Sequence, residues 1–143
     1  MYALSDARHL VMVNASVLTD GVIFSGSLSA TYSGGIELTQ EARGFFFNTT
    51  FRRCRWDWSG GALNLRGGST AELGTGSEFI GNIADQGGAI YIGAGCTVQV
   101  NSTIHFYNNS ANPYSGGAFF LESGAQLTIG RYIRRFRPNT HSG

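Results

Sequence analysis

Short stretches in which apolar residues occupy every second position recur along this chain, each directly after a pair of glycines. Such alternation is typical of a short β-strand with one buried face. Successive glycine pairs begin 26, 27 and 29 residues apart. The segments are Gly34-Gly35-Ile36-Glu37-Leu38, Gly60-Gly61-Ala62-Leu63-Asn64-Leu65, Gly87-Gly88-Ala89-Ile90-Tyr91-Ile92 and Gly116-Gly117-Ala118-Phe119-Phe120-Leu121.

A second strand signal follows the last three glycine pairs at a constant distance. Small residues separate the two signals and predict tight turns, where glycine adopts a positive φ without steric cost. The segments of this second signal are Ala71-Glu72-Leu73, Val98-Gln99-Val100 and Leu127-Thr128-Ile129.

A third signal is a phenylalanine followed three residues later by a small or polar residue. The phenylalanines lie 27, 28, 27 and 30 residues apart, which predicts an interior aromatic stack. The following residue is Asn in three copies, and we expect these amides to stack at one corner, bonding each other or the turn backbone. We interpret both columns as structural, with no need for a ligand. Their members are Phe24, Phe51, Phe79, Phe106 and Phe136, and Asn82, Asn109 and Asn139.

One shared period for three strand signals predicts an all-β fold, a right-handed parallel β-helix with three short strands per coil. We expect about 4–5 coils of ~27 residues, because no unit contains a helical apolar pattern and propeller blades need roughly 40–50 residues. Ile90 and Ile92 should face inward and Tyr91 outward. Residues 1–143 form one predicted domain, clearest over 60–139. Neither end resembles a cap, so we expect a fragment of a longer solenoid.

Composition narrows the range of partners. The 143 residues carry a net charge of +1, and all ten cationic side chains are arginines. Two arginine clusters, at residues 52–55 and 131–137, are separated by two coils without a cation in the corresponding position. This interrupted track argues against nucleic-acid binding. No apolar stretch is long enough for a transmembrane helix, and no secretory signal peptide is recognisable.

Parallel β-helices often host enzymes that act on polysaccharides, whose chemistry needs converging carboxylates. Asp57 and Asp85 precede successive glycine pairs at related offsets and could approach each other on one turn. We nevertheless favour solvated turn acids. Glu37 and Glu122 occupy different columns, and His9, His105 and His141 fall at unrelated repeat positions. The sequence therefore predicts no catalytic constellation, no metal site and no cofactor.

Other candidate features also have structural interpretations. Trp56 and Trp58 bracket Asp57 and could stack on a sugar if exposed, but we favour packing within a turn. Cys54 and Cys96 lie in different columns, so we expect two free or buried thiols and no disulfide. Thr70 and Thr97 share a column that Gln126 interrupts, which gives little support to an ice-binding face.

The Gly-Gly-Ala-Ile and Phe-x-x-Asn motifs together resemble the repeat of the chlamydial polymorphic outer-membrane proteins. The clearest copy runs from Phe79 through Asn82 and Gly87-Gly88 to Tyr91. The resemblance spans roughly residues 24–139, with Ser27 and Cys54 departing from the Asn position and Ile36 from the Ala position. It implies a surface-exposed β-helical passenger of an autotransporter with a role in adhesion, although this chain lacks the membrane barrel that ends such proteins.

We therefore expect a non-enzymatic extracellular or cell-surface β-helix that serves in adhesion or as a spacer, at the outer membrane if the source is bacterial. The expected partners are a host-cell surface protein or a glycan, and adjoining coils of a longer chain. We expect no nucleic acid and no membrane contact except through segments outside this chain. The rival hypothesis is part of a carbohydrate-active β-helix enzyme, which a groove with two or more converging carboxylates would favour.

Overall fold

The computed structural model describes residues 2–4, 10–26, 35–130 and 140–141, with side chains described within 10–26 and 35–130. All regular structure in these residues is β-strand. Every strand pairs in parallel with a strand about one repeat away, and the strands wind into a β-solenoid of about four turns. The predicted all-β class, parallel stacking and ~27-residue period are confirmed. The right-handed winding stays a prediction from the usual hand of parallel crossovers.

Two of the four sheets contain the strand signals that follow the glycine pairs. The GG sheet is formed by Leu10–Val13, Ile36–Thr39, Leu63–Leu65, Ile90–Ile92 and Phe119–Leu121. The middle sheet is formed by Ser16–Asp20, Arg43–Phe47, Thr70–Leu73, Thr97–Val100 and Gln126–Ile129.

The other two sheets flank the Phe-x-x-Asn turn. The Phe sheet is formed by Tyr2–Leu4, Val22–Ser25, Thr50–Arg52, Glu78–Ile80 and His105–Tyr107. The fourth sheet is formed by Arg55–Ser59, Ile83–Gln86, Ser110–Ala111 and Thr140–His141.

The fourth sheet corrects the prediction of three strands per coil, because each complete coil has four. Its strands lack the apolar alternation that identifies the others. Inside the solenoid they contribute the small side chains of Ala84 and Ala111, which are almost fully buried. Backbone pairing with neighbouring coils stabilises these strands, so their sequences show no hydrophobic period.

The glycine pairs have two structural roles. Gly60, Gly87 and Gly116 have φ values of +66°, +60° and +84°, which residues with a side chain rarely adopt. Gly88 lies against the backbone of the next coil, where an added Cβ would approach the carbonyl oxygen of Gly117 to 2.6 Å. Gly61 is equally enclosed, by Gly88 and Ile83. Gly60-Gly61 and Gly87-Gly88 therefore each combine a left-handed turn with a close approach between coils.

Gly35 is out of register with the second glycine of the later pairs, which corrects the alignment drawn from the sequence. Ile36 pairs with Leu63, and the amide of Ile36 donates to the carbonyl of Ala62. Gly35 therefore stands in the column of Ala62 and Ala89. Ile36 belongs to the inward apolar column and does not replace an alanine.

The predicted interior aromatic stack is confirmed for its described members. Rings of Phe24, Phe51, Phe79 and Phe106 lie 4.9 Å apart between successive centroids and are nearly parallel. All four are buried, and Phe46 packs edge-on against Phe51 at 5.5 Å. The stack therefore forms the centre of one continuous core.

The Asn corner is confirmed at Asn82 and Asn109, both fully buried. Asn82 Nδ2 donates to the carbonyl of Phe51, and Asn109 Nδ2 donates to the carbonyl of Phe79. Cys54 occupies the equivalent position one coil earlier, where its thiol contacts the carbonyl of Phe24. Cys54 and Cys96 are both free and buried, as predicted.

Some sequence predictions lie outside the described residues. They concern Ser27, Gly34, Phe136, Asn139, the second arginine cluster and His9.

Candidate functional site

A cleft of about 620 Å³ lies over the outer faces of the GG sheet and the fourth sheet. Two aromatic side chains at its rim are exposed to solvent, Trp58 by 67% and Tyr114 by 57%. Three carboxylates and one guanidinium also face it. The complete lining is Asp57, Trp58, Ser59, Arg66, Asp85, Gln86, Tyr91, Tyr114 and Glu122.

A β-bulge positions the residues on the fourth-sheet side of the cleft. Trp56 pairs with Ala84 and Ser59 pairs with Gln86, so the two residues 57 and 58 oppose the single residue Asp85. Bulges of this kind redirect side chains and are common beside functional sites. Here the bulge accompanies an exposed Trp58 and brings Asp57 and Asp85 to one surface.

The floor of the cleft is a network of polar side chains. Asn64 Nδ2 donates to Ser59 Oγ at 3.3 Å, and Arg66 Nη2 donates to the same oxygen at 3.2 Å. Arg66 Nε donates to Asn64 Oδ1 at 3.4 Å. Ser59 and Asn64 are only 3% exposed, and buried polar groups held in this way form a preorganised surface.

Tyr91 continues this floor toward the next coil. Its ring is parallel to that of Phe120 with centroids 5.7 Å apart, and the Arg66 guanidinium lies 5.9 Å from its centroid. The Tyr91 hydroxyl donates to Glu122 Oε1, while the amide of Ala94 donates to Glu122 Oε2. Tyr91 lies on the outer face as predicted, yet it is buried, because Phe120 and Arg66 cover its ring.

The carboxylates of the cleft differ in their electrostatic surroundings. Partial burial raises the pKa of Asp85, and the negative charge of Asp57 raises it further, whereas Arg55 lowers it by a smaller amount. The Tyr91 hydroxyl and the Ala94 amide lower the pKa of Glu122. Burial and the bond to Glu122 raise the pKa of Tyr91 to about 12. The surroundings of Asp85 and Glu122 therefore shift the pKa values of these two carboxyl groups in opposite directions.

The structure places the residues proposed from the sequence in several locations. Asp57 and Asp85 approach each other, and the structure corrects the prediction that Trp58 packs within a turn. Trp56 is half-buried. Other acids lie away from the cleft: Asp20 accepts a hydrogen bond from Asn48, and Glu72 accepts one from Asn101.

Three residues of the lining, Ser59, Arg66 and Tyr114, have no distinguishing signal in the sequence, and neither has Asn64, which is hydrogen-bonded to Ser59 and Arg66. They come from separate turns and strands and do not form a spaced motif. The only signal that could have identified Asn64 is its column, which Glu37 and Tyr91 share through the strand register. The sequence identified Asp57, Trp58 and Asp85 as candidates because they stand beside glycine pairs.

Among the described residues, no group of three His, Cys, Asp or Glu side chains is arranged to hold a metal ion. No helix in the described part of the chain is long and apolar enough to cross a membrane. The Thr70–Thr97 column continues to Gln126 as predicted, so threonines do not repeat along it. No protein-family model, curated protein or solved structure matches the chain.

Proposed function

We propose that this chain is a non-enzymatic β-helix domain of the cell surface or extracellular space that binds a glycan in the cleft. The observation that carries this proposal is the exposure of Trp58 at the rim of a polar concavity. An indole ring offers an apolar face to the C–H face of a sugar. Exposing it to water is unfavourable unless a ligand covers it.

The composition of the cleft supports a sugar ligand. Tyr114 provides a second exposed ring, and Asp57, Gln86 and Glu122 provide acceptors for sugar hydroxyls. The volume of about 620 Å³ falls within the range of small-ligand sites, roughly 300–1,000 Å³. The Ser59–Asn64–Arg66 network holds the floor in place before a ligand arrives, which reduces the entropy lost on binding.

The proposed surface location rests on the repeat motifs. The Gly-Gly-Ala-Ile segment and the Phe-x-x-Asn turn resemble the repeat of the chlamydial polymorphic outer-membrane proteins, and their roles in the coil are structural. We propose an adhesive role of the same general kind, with adjoining coils as structural partners. Protease treatment of intact source cells should remove the chain, whereas protection until the cells are lysed would contradict a surface location.

A hydrolase remains the second candidate because Asp57 and Asp85 converge on the cleft. Glycoside hydrolysis uses two carboxyl groups that flank the scissile bond, one of them as a general acid. The raised pKa of Asp85 is in the direction that a general acid needs. Incubation of the chain with oligosaccharides, followed by measurement of new reducing ends, separates the two candidates. If the chain releases new reducing ends and both Asp57→Asn and Asp85→Asn abolish this release, the non-enzymatic proposal is overturned.

Binding is tested by titrating the intact chain with a panel of oligosaccharides and following tryptophan fluorescence and heat. We expect a saturable signal for at least one sugar class and about tenfold weaker binding by Trp58→Ala, as loss of one stacking surface predicts. Tyr107→Ala is the matched control, because Tyr107 is an exposed aromatic residue on the Phe sheet. Equal loss in both variants, or no binding to any sugar, would refute the proposal.

A further inference from the structure

The charges that face the cleft are unequal. Its lining contains the carboxylates of Asp57, Asp85 and Glu122 and only one cationic side chain, Arg66. The chain as a whole is nearly neutral, with a net charge of +1. The excess of negative charge is therefore a local feature of this surface and does not follow from the composition.

The cation of the lining is engaged by the floor. Two nitrogens of the Arg66 guanidinium donate to Ser59 and Asn64, and the group lies over the Tyr91 ring. These contacts direct it toward the outer face of the GG sheet. An incoming anion would have to compete with them, because an arginine fork recognises a carboxylate through the same donors.

The acids near Trp58 have only partial compensation. Arg55 Nε lies 3.5 Å from Asp57 Oδ1, but both side chains are about 40% exposed, so water screens the pair. At Asp85 the charge of Asp57 raises the pKa more than Arg55 lowers it. Two acidic side chains, Asp57 and Asp85, and one basic side chain, Arg55, therefore lie at this side of the cleft.

An exposed indole next to acidic side chains is also favourable for a cation. The face of an aromatic ring attracts ammonium groups, and tryptophan does so most strongly. The bulge places Asp57 and Trp58 consecutively, opposite Asp85. A sugar stacked on Trp58 would thus carry its substituents past two carboxylates.

We infer that the cleft selects glycans whose sugars carry free amino groups and rejects glycans with carboxylate or sulfate groups. The inference rests on the proposed glycan binding and names its ligand class. Trp58 supplies the stacking surface, Asp57 and Asp85 receive the ammonium group, and Glu122 adds negative charge at the opposite side. Like charges brought together in a binding site repel each other, so uronate and sulfated sugars should bind weakly.

Three oligosaccharides of equal length test this inference: a glucosamine oligomer, its N-acetylated counterpart and a galacturonate oligomer. The intact chain is titrated with each at about pH 6, where amines are protonated. We expect the glucosamine oligomer to bind at least about tenfold more tightly than the N-acetylated oligomer. Galacturonate should bind more weakly than either.

Asp57→Asn and Asp85→Asn should each reduce this preference, because they retain shape and remove charge. Glu72→Gln is the matched control on the middle sheet and should leave the preference unchanged. The inference is overturned, while glycan binding stands, if the galacturonate oligomer binds as tightly as the glucosamine oligomer. It is also overturned if both Asp variants keep the preference for the glucosamine oligomer. If none of the three oligomers and no sugar of the wider panel binds, the proposed function itself is refuted. Thermal melting of each variant verifies that it is folded.

Discussion

Asn109 Oδ1 lies 2.8 Å from Asn82 Nδ2 and 3.0 Å from the backbone nitrogen of Asn82, and it accepts a hydrogen bond from both. The same relationship recurs one coil earlier, where Asn82 Oδ1 accepts from the amide of Cys54 at 3.0 Å. Each amide oxygen thus satisfies donors of the preceding coil. The corner is a ladder of buried hydrogen bonds that connects successive coils.

Removal of one step of this ladder should destabilise the chain. Asn109→Ala removes the acceptor of the buried Asn82 backbone amide and one of the two acceptors of Asn82 Nδ2, which predicts a loss of about 1–3 kcal/mol in the free energy of unfolding. Urea denaturation measures it. Asn101→Ala is the control, because its bond to Glu72 is exposed to water, so its removal leaves no buried polar group unsatisfied and should cost less. Equal losses would contradict a role for the ladder.

The aromatic stack should respond strongly to truncation. Phe79 is fully buried between Phe51 and Phe106, so Phe79→Ala creates a cavity and should cost about 3–5 kcal/mol of unfolding free energy. Calorimetric or urea unfolding provides the measurement. Tyr107→Ala, on an exposed side chain of a paired strand, should cost much less. A small effect at Phe79 would show that the stack is not central to the core.

Substitution of two glycines by alanine distinguishes a position that lacks space for a side chain from a position that only requires a positive φ. Gly88→Ala would place a methyl group against carbonyl oxygens of the next coil, which cannot move without breaking the coil stack. We expect a loss of about 3 kcal/mol or more in stability. Gly95 has a φ of +75° but open space around it, so Gly95→Ala should cost only about 1–2 kcal/mol. The reverse order in thermal melting would contradict this interpretation.

Cys54 should be chemically inert in the folded chain. Burial raises the pKa of its thiol to about 12, so almost no thiolate is present at neutral pH. Alkylation followed by mass spectrometry should find no modification of Cys54 in the native chain and complete modification in denaturant. Rapid native labelling at Cys54 would show that the Asn corner opens readily.

Asp85 should make stability depend on pH. The pKa of Asp85 is raised in the folded chain, so the folded state binds this proton more tightly than the unfolded state does. The resulting contribution to the free energy of unfolding is fully present below the ordinary Asp pKa and is lost as the pH rises through the raised pKa. Asp85→Asn should therefore increase the melting temperature at neutral pH, and the difference should disappear below about pH 4. A variant that is less stable at neutral pH would contradict the repulsion from Asp57.

The alternation of apolar residues and the ~27-residue period were sufficient to predict most of the coil. Inward residues such as Ile90 and Val98, the Phe stack and the Asn corner each repeat once per coil, and parallel stacking brings equal positions of successive coils together. Local burial of one strand face therefore determines the core. The tight backbone approach at Gly88 explains why the glycine pair is part of the same period.

The fourth strand, the register of Gly35 and the cleft were decided by the tertiary structure. A strand that buries only Ala84 has no hydrophobic signature in the sequence. The offset of Gly35 by one residue becomes visible only in the pairing of Ile36 with Leu63. The cleft depends on a bulge beside Asp85. The sequence by itself determined which side chains fill the solenoid, because burial is a property of each strand. Only the stacking of coils decided which polar side chains meet outside it, because their proximity depends on register between residues about one coil apart.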